Sequence, residues 1–224
     1  MKTDITIILD RSGSMESVKS DTIGGFNSFL ADQQKEDSPA TLSLVQFDHE
    51  YETVYENLNI KDVQKLTEAT FQPRGRTALR DAIGRTINSV GQRLSDTLEI
   101  DRPDNVLIVI LTDGFENASR EFNVQQIGEM VQHQQDVYNW QFLFIGANQD
   151  AILSAQAMNI PQTNAMSYAA NAVGTQAVFD SVALNVQAYR QTGLRGAVAF
   201  KDSDRKKQYD AGATKDRFAE KLRK

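Results

Sequence analysis

Five oxygen-bearing side chains, spread over three distant segments, have the types and spacing to hold a small hard cation. Asp10, Ser12 and Ser14 alternate in Asp10-Arg11-Ser12-Gly13-Ser14, directly after the apolar run Ile5-Thr6-Ile7-Ile8-Leu9. Gly13 lets the backbone turn tightly there, so side chains at alternate positions can point at one centre. Thr77 lies in Gly75-Arg76-Thr77-Ala78-Leu79, and Asp113 in Ile110-Leu111-Thr112-Asp113-Gly114. Carboxylate and hydroxyl oxygens suit Mg2+, with Mn2+ or Ca2+ as alternatives. Taken singly, the second and third segments have plainer readings. Thr77 sits where a loop becomes a helix and reads as an N-cap, and strand-terminal Asp-Gly pairs are common.

The elements that must position these residues alternate between strand and helix. Thr3 to Leu9, Val106 to Leu111 and Trp140 to Ile145 are short, nearly all apolar runs that predict buried strands. Leu42 to Phe47 and Tyr51 to Tyr55 predict a hairpin turning through Asp48, His49 and Glu50, and Thr163 to Tyr168 an edge strand. Helical patterns cover Val18 to Gln34, Ile60 to Leu66, Thr77 to Val90, Val124 to Val137, Asp150 to Met158 and Asn171 to Arg190. The pair Gly24-Gly25 weakens the first helix or marks close packing of that helix on the sheet. Strands interleaved with helices imply a largely parallel sheet covered on both faces. Ligands bind such sheets at the carboxyl ends of the strands, beside the topological switch point. Asp10 and Asp113 each follow a buried strand, so both fall at that edge.

The order strand-Asp-Arg-Ser-Gly-Ser-Met, Gly-Arg-Thr-Ala-Leu and strand-Thr-Asp-Gly resembles the metal-ion-dependent adhesion site of the von Willebrand factor type A domain family. The resemblance covers roughly Thr3 to Arg190. It implies a Rossmann-like α/β three-layer sandwich: a mostly parallel central sheet with one antiparallel edge strand, here Tyr51 to Tyr55, and helices on both faces. It implies Asp10, Ser12, Ser14, Thr77 and Asp113 as the metal set, the three hydroxyls binding directly and the carboxylates often through water. A cation in such a shell stays electron-poor and favours an Asp or Glu from a partner protein as an added ligand. The implied function is metal-dependent protein–protein interaction, adhesion-like or scaffolding, and not an enzyme; the compact, signal-free, Cys-free chain itself reads as that of a cytoplasmic protein of a bacterium or phage. Some relatives switch affinity by moving the last helix, here Asn171 to Arg190.

An enzyme alternative is a magnesium-dependent phosphatase of the haloacid dehalogenase type, which also uses an Asp after the first strand. That family wants a second Asp two residues later, where this chain has Ser12. Glu16, Asp81 and Glu116 are the acid–base candidates near the rim, and His49 and His133 read as surface residues. Neither a phosphate-binding Gly-x-x-x-x-Gly-Lys-Ser/Thr loop nor a Gly-x-Gly-x-x-Gly turn follows the first strand. Phe26, Phe29, Phe142 and Phe144 fall at core spacing and read as packing, not as base-stacking platforms.

A chain of 224 residues that is 40% hydrophobic is long enough for one large domain with a well-buried core. With no Cys there is neither a disulfide framework nor a thiolate metal site. No apolar run approaches the roughly 20 residues that span a bilayer, and the N-terminus lacks a signal-peptide layout, so the expectation is cytoplasmic, without membrane partners. The net charge of -6 argues against nonspecific nucleic-acid binding. The charge is uneven. Lys201 to Lys224 carries nine Lys or Arg against five Asp or Glu, a net +4 that leaves -10 for the rest. The domain is therefore expected over 1–192, with 193–224 a solvated basic tail or a segment that docks the protein into an assembly.

Overall fold

The computed structural model describes residues 1–147 and 151–213. Among these, β1 (Thr3–Asp10), β2 (Ala40–Phe47), β3 (Tyr51–Asn59), β4 (Asn105–Thr112), β5 (Gln141–Ala147) and β6 (Ala165–Tyr168) form one sheet in the order 3-2-1-4-5-6. All neighbours run parallel except β2 and β3, so the antiparallel strand is an edge strand. Around the sheet lie α1 (Lys19–Lys35), α2 (Leu79–Asp96), α3 (Val124–Tyr138), α4 (Ala151–Ala157), α5 (Ala172–Thr192) and α6 (Asp202–Asp210). This is the Rossmann-like three-layer α/β sandwich that the sequence predicts.

The central strands are buried along their whole length, so alternate residues feed two separate cores. Ile5, Ile7 and Leu9 of β1 and Leu107, Val109 and Leu111 of β4 pack with Phe26, Phe29 and Leu30 of α1 and Val178 and Val182 of α5. On the opposite face, Ile8, Ile108, Ile110, Phe142 and Phe144 pack with Leu79, Ile83 and Ile87 of α2 and Ile127 and Val131 of α3. The four phenylalanines expected in the core are there.

Strand order reverses between β1 and β4. Leu9 stands opposite Leu111 in their parallel register, so the two strands end level. Asp10 closes β1 and Asp113 follows β4 by one residue. The fold thereby delivers both carboxylates to the same crevice at the switch point.

Four local expectations are corrected. Only Ile60–Asp62 forms a helical turn in the segment expected to be helical to Leu66. Side chains of α1 take its backbone groups instead: Asn27 bonds both the N–H and the C=O of Leu66, and Gln34 donates to the carbonyls of Ile60 and Val63. Gly25 marks a helix–helix contact and not a helix–sheet one, because a Cβ there would lie 2.2 Å from Cδ2 of Phe179 on α5. The first helix is also preceded by a 3-10 turn, Gly13–Val18, that belongs to the Ser12–Ser14 loop.

The fourth concerns the segment after α5. No break in packing falls at residue 193. Val198 and Phe200 enter the core beside α1 and α5. Helix α6 docks through polar side chains: Gln208 accepts from Ala169 N–H and donates to the Gly174 carbonyl, while Asp204 accepts from Ser181. The described part of the expected tail is thus packed on the domain. The expected helix start at Asp150 and the basic stretch 214–224 lie outside the described residues.

Candidate metal centre

The site begins with Asp10, which is completely buried at the end of β1. Its Oδ1 accepts the Ser12 N–H at 2.6 Å and its Oδ2 the Thr112 hydroxyl at 2.5 Å. The first bond curls the chain so that Met15 N–H reaches the Ser12 carbonyl and the 3-10 turn starts. Ser12 and Ser14 thereby face the same side, their Oγ atoms 3.1 Å apart. The Ser14 hydroxyl donates to Asp113 Oδ1 at 2.5 Å, which links the β1 loop to the β4 loop.

Thr77 arrives on a third loop, which is fastened to both others. Gly13 N–H donates to the Gly75 carbonyl and Arg74 N–H to the Arg11 carbonyl. On the other side, Thr77 N–H donates to Asn117 Oδ1, and its carbonyl accepts from the N–H groups of Asn117 and Ala118. Thr77 is not an N-cap. Helix α2 starts at Leu79, and the residue in the cap position, Ala78, has no side chain to offer. The Thr77 hydroxyl is left for the site.

Gly114 shows that the hydroxyls converge. A Cβ at this position would lie 2.9 Å from Thr77 Oγ1, 3.3 Å from Ser14 Oγ and 3.6 Å from Ser12 Oγ. Three hydroxyl oxygens from two loops therefore surround one point on a third loop, with the Asp10 and Asp113 carboxylates bonded into the same network. All five residues singled out in the sequence are brought together. Among the described residues, no group of three or more His, Cys, Asp or Glu could hold a metal. The cluster is thus a hydroxyl-rich, all-oxygen set with two carboxylates, which fits a hard divalent cation in its chemistry.

The electrostatics agree. Burial pushes Asp10 up to about 6 against the hydrogen bonds from Thr112 and Ser12, and the nearby charge of Asp113 adds to the rise. Burial also raises Asp113 above the usual carboxylate range, opposed by the Ser14 hydroxyl. Desolvation and mutual repulsion both penalise the ionised forms, and a cation between them relieves both penalties.

The surrounding acids hold loops. Asp81 accepts the N–H groups of Arg120, Glu121 and Phe122. Glu116 accepts from Ala118, Ser119 and Arg80 N–H. Asp48 is buried beneath two guanidiniums, Arg11 at 3.1 Å and Arg74 at 2.9 Å, and its hydrogen bonds and those charges outweigh burial to lower its pKa. His49 lies against Gly75, where φ is +67° and a Cβ would fall 2.2 Å from Nδ1. His133 stacks edge-on against Tyr138. Sequence reasoning missed Thr112 and Asn117, which orient Asp10 and Thr77. A hydroxyl before the strand-terminal Asp and an amide four residues after it are the signals that mark them.

The model of the von Willebrand factor type A domain matches residues 4–180. The chain belongs to that family. No curated protein matches its sequence. Among solved structures, this von Willebrand A domain is similar to the pilus adhesin SpaC of Lactobacillus rhamnosus GG, with a TM-score of 0.62 and 12% identity over 84% of this chain and 30% of that one. Proximal thread matrix protein 1 from the mussel byssus gives 0.60 and 12%, over 82% of this chain and 48% of its own. A von Willebrand factor type A protein from Catenulispora acidiphila gives 0.56 and 14%, over 84% and 43%. The domain spans less than half the length of each of these chains. A further structure of the mussel protein, similar at a TM-score of 0.59 and 12% identity over 82% of this chain and 48% of that one, has a zinc-occupied metal-ion-dependent adhesion site.

Proposed function

We propose that this von Willebrand A domain is a divalent-metal-dependent protein-interaction module. Ser12, Ser14 and Thr77 would hold the cation, with Asp10 and Asp113 directly or through water, and Mg2+ is the expected ion. When bound, the cation supplies Lewis acidity toward a carboxylate oxygen of a partner protein. The protein's own residues supply the rest. Asp10 is locked in place by Ser12 N–H and Thr112, and Asn117 fixes the loop that carries Thr77. The observation that carries the reading is the convergence of three hydroxyl oxygens around Gly114. The zinc-occupied site of the mussel protein supports it as a property of a relative with the same fold.

A binding role suits the site better than a hydrolytic one. Asp81 and Glu116 are committed to backbone N–H groups, and among the described residues neither His bonds Ser12 or Ser14. Calorimetry tests the reading. Wild type should bind Mg2+ or Mn2+ at one site, and Asp10→Ala should abolish binding while the far-ultraviolet spectrum is kept. Unchanged binding in Asp10→Ala would remove the proposal.

Docking through the C-terminal segment is the second reading, in which the metal mainly fixes the loops. The exposed Lys206 and Lys207 on α6 favour it. It predicts partner capture that survives EDTA and fails when Lys206 and Lys207 are both changed to Glu.

A further inference from the structure

The rim of the metal centre holds two exposed side chains that its architecture leaves unused. Phe115 is 64% exposed, one residue after Gly114 and two after Asp113. Its loop is not slack. Thr112 Oγ1 accepts the Gly114 N–H, Glu116 accepts from Ala118, Ser119 and Arg80, and Asn117 and Ala118 bond Thr77. A loop braced on both sides of residue 115 nonetheless holds an aromatic ring out in water, where apolar area is costly to leave.

Arg76 precedes Thr77 and is likewise exposed. Arg11 pairs with Asp48 and Glu52, Arg74 with Asp48 and Glu50, Arg80 with Glu116 and Arg85 with Glu121. Arg76 has no carboxylate partner among the described residues. Charge on the other side of the rim differs, since Glu16 is an exposed carboxylate on the turn that follows Ser14. A second acidic group on a ligand is therefore repelled from the β1 loop and attracted to the Thr77 loop.

Resting on the metal-site reading above, we propose that Phe115 and Arg76 form the specificity surface of this centre. Its occupant is an acidic segment of another protein, in which the metal-binding Asp or Glu is flanked by a large apolar residue and a further acidic one. The apolar side chain covers Phe115 and the second carboxylate pairs with Arg76. An exposed aromatic and an unmatched arginine beside a desolvated anchor are the residue types that carry most of the energy at protein interfaces.

The test is a displayed library of short peptides, each with one fixed acidic residue and randomised flanks, selected on the whole chain in Mg2+ and in EDTA. The selected peptide is then titrated against wild type, Phe115→Ala and Arg76→Ala, with the Mg2+ affinity of each variant measured beside it. The expected result is Mg2+-dependent enrichment of aromatic or large aliphatic residues and a second acid next to the fixed one. Each variant should lose about tenfold or more in peptide affinity with Mg2+ affinity unchanged. Mg2+-dependent enrichment without that flanking pattern, or variants that bind as wild type does, would overturn this inference and leave the metal site standing. Enrichment that is the same in EDTA would overturn the metal-site reading with it. Mg2+-dependent self-association of the chain, lost in Phe115→Ala, would show a second copy as the occupant and overturn the acidic-segment assignment.

Discussion

Asp10→Asn should make the metal-free protein more stable while making it unable to gain stability from metal. The wild-type carboxylate is buried without a salt bridge among the described residues, and its pKa is raised from 3.8 to about 6. A raised acid pKa means that the folded state binds the proton more tightly than the unfolded chain. Ionisation therefore costs folding stability once the pH passes the unfolded value near 3.8, and the full cost is present above about 6. A shift of roughly two units corresponds to about 3 kcal/mol, an upper figure for one group. Asn removes the charge and keeps the shape. Its amide oxygen retains the Ser12 N–H bond, and its NH2 can donate to Thr112 Oγ1, which turns its own proton to the Gly114 carbonyl 3.3 Å away. Urea unfolding in EDTA at pH 7.5 should show Asp10→Asn more stable by about 1–3 kcal/mol, with the gap closing near pH 4. In Mg2+ the order should reverse. Wild type gains about 4.1 kcal/mol when Mg2+ stands at about 1,000 times its Kd, and the variant gains far less. A variant less stable than wild type in EDTA at pH 7.5, or a gap that does not change with pH, would refute the reasoning.

Other expectations follow from the same geometry. Gly114→Ala introduces a Cβ 2.9 Å from Thr77 Oγ1, so it should weaken Mg2+ binding by about tenfold or more by calorimetry, although Gly114 is not among the proposed ligands. Metal affinity should fall as the pH drops through about 6, because the protonated Asp10 and Asp113 of the metal-free state compete with the cation; titrations at pH 5 and pH 7.5 check the sign. Gly25→Ala drives a methyl into the Phe179 ring and should cost about 1–3 kcal/mol in denaturant melts, with Mg2+ affinity retained.

Much of this architecture is legible in the sequence because burial along a strand leaves a one-dimensional trace. Thr3–Asp10, Asn105–Thr112 and Gln141–Ala147 are buried at every residue, so their centres read as nearly continuous apolar runs. The carboxylates that terminate two of them are placed by chain order alone. Side-chain hydrogen bonds leave no such trace. The helical reading of Ile60 to Leu66 failed because Asn27 and Gln34, some thirty residues away, claim its backbone groups. Thr77 carried two meanings, cap or ligand, and Gly114, the residue that distinguishes them, lies on another loop. Helix α6 reads as solvated because Asp, Lys and Arg dominate it, yet Asp204 and Gln208 are buried by specific hydrogen bonds.

The most direct measurement is a crystal structure of the protein soaked in Mn2+, read by anomalous scattering. The account expects one strong peak at the carboxyl ends of β1 and β4, within coordination distance of the Ser12, Ser14 and Thr77 hydroxyl oxygens. Full occupancy of Mn2+ elsewhere on the protein, or no peak at saturating Mn2+ with the three hydroxyls still clustered, would contradict it.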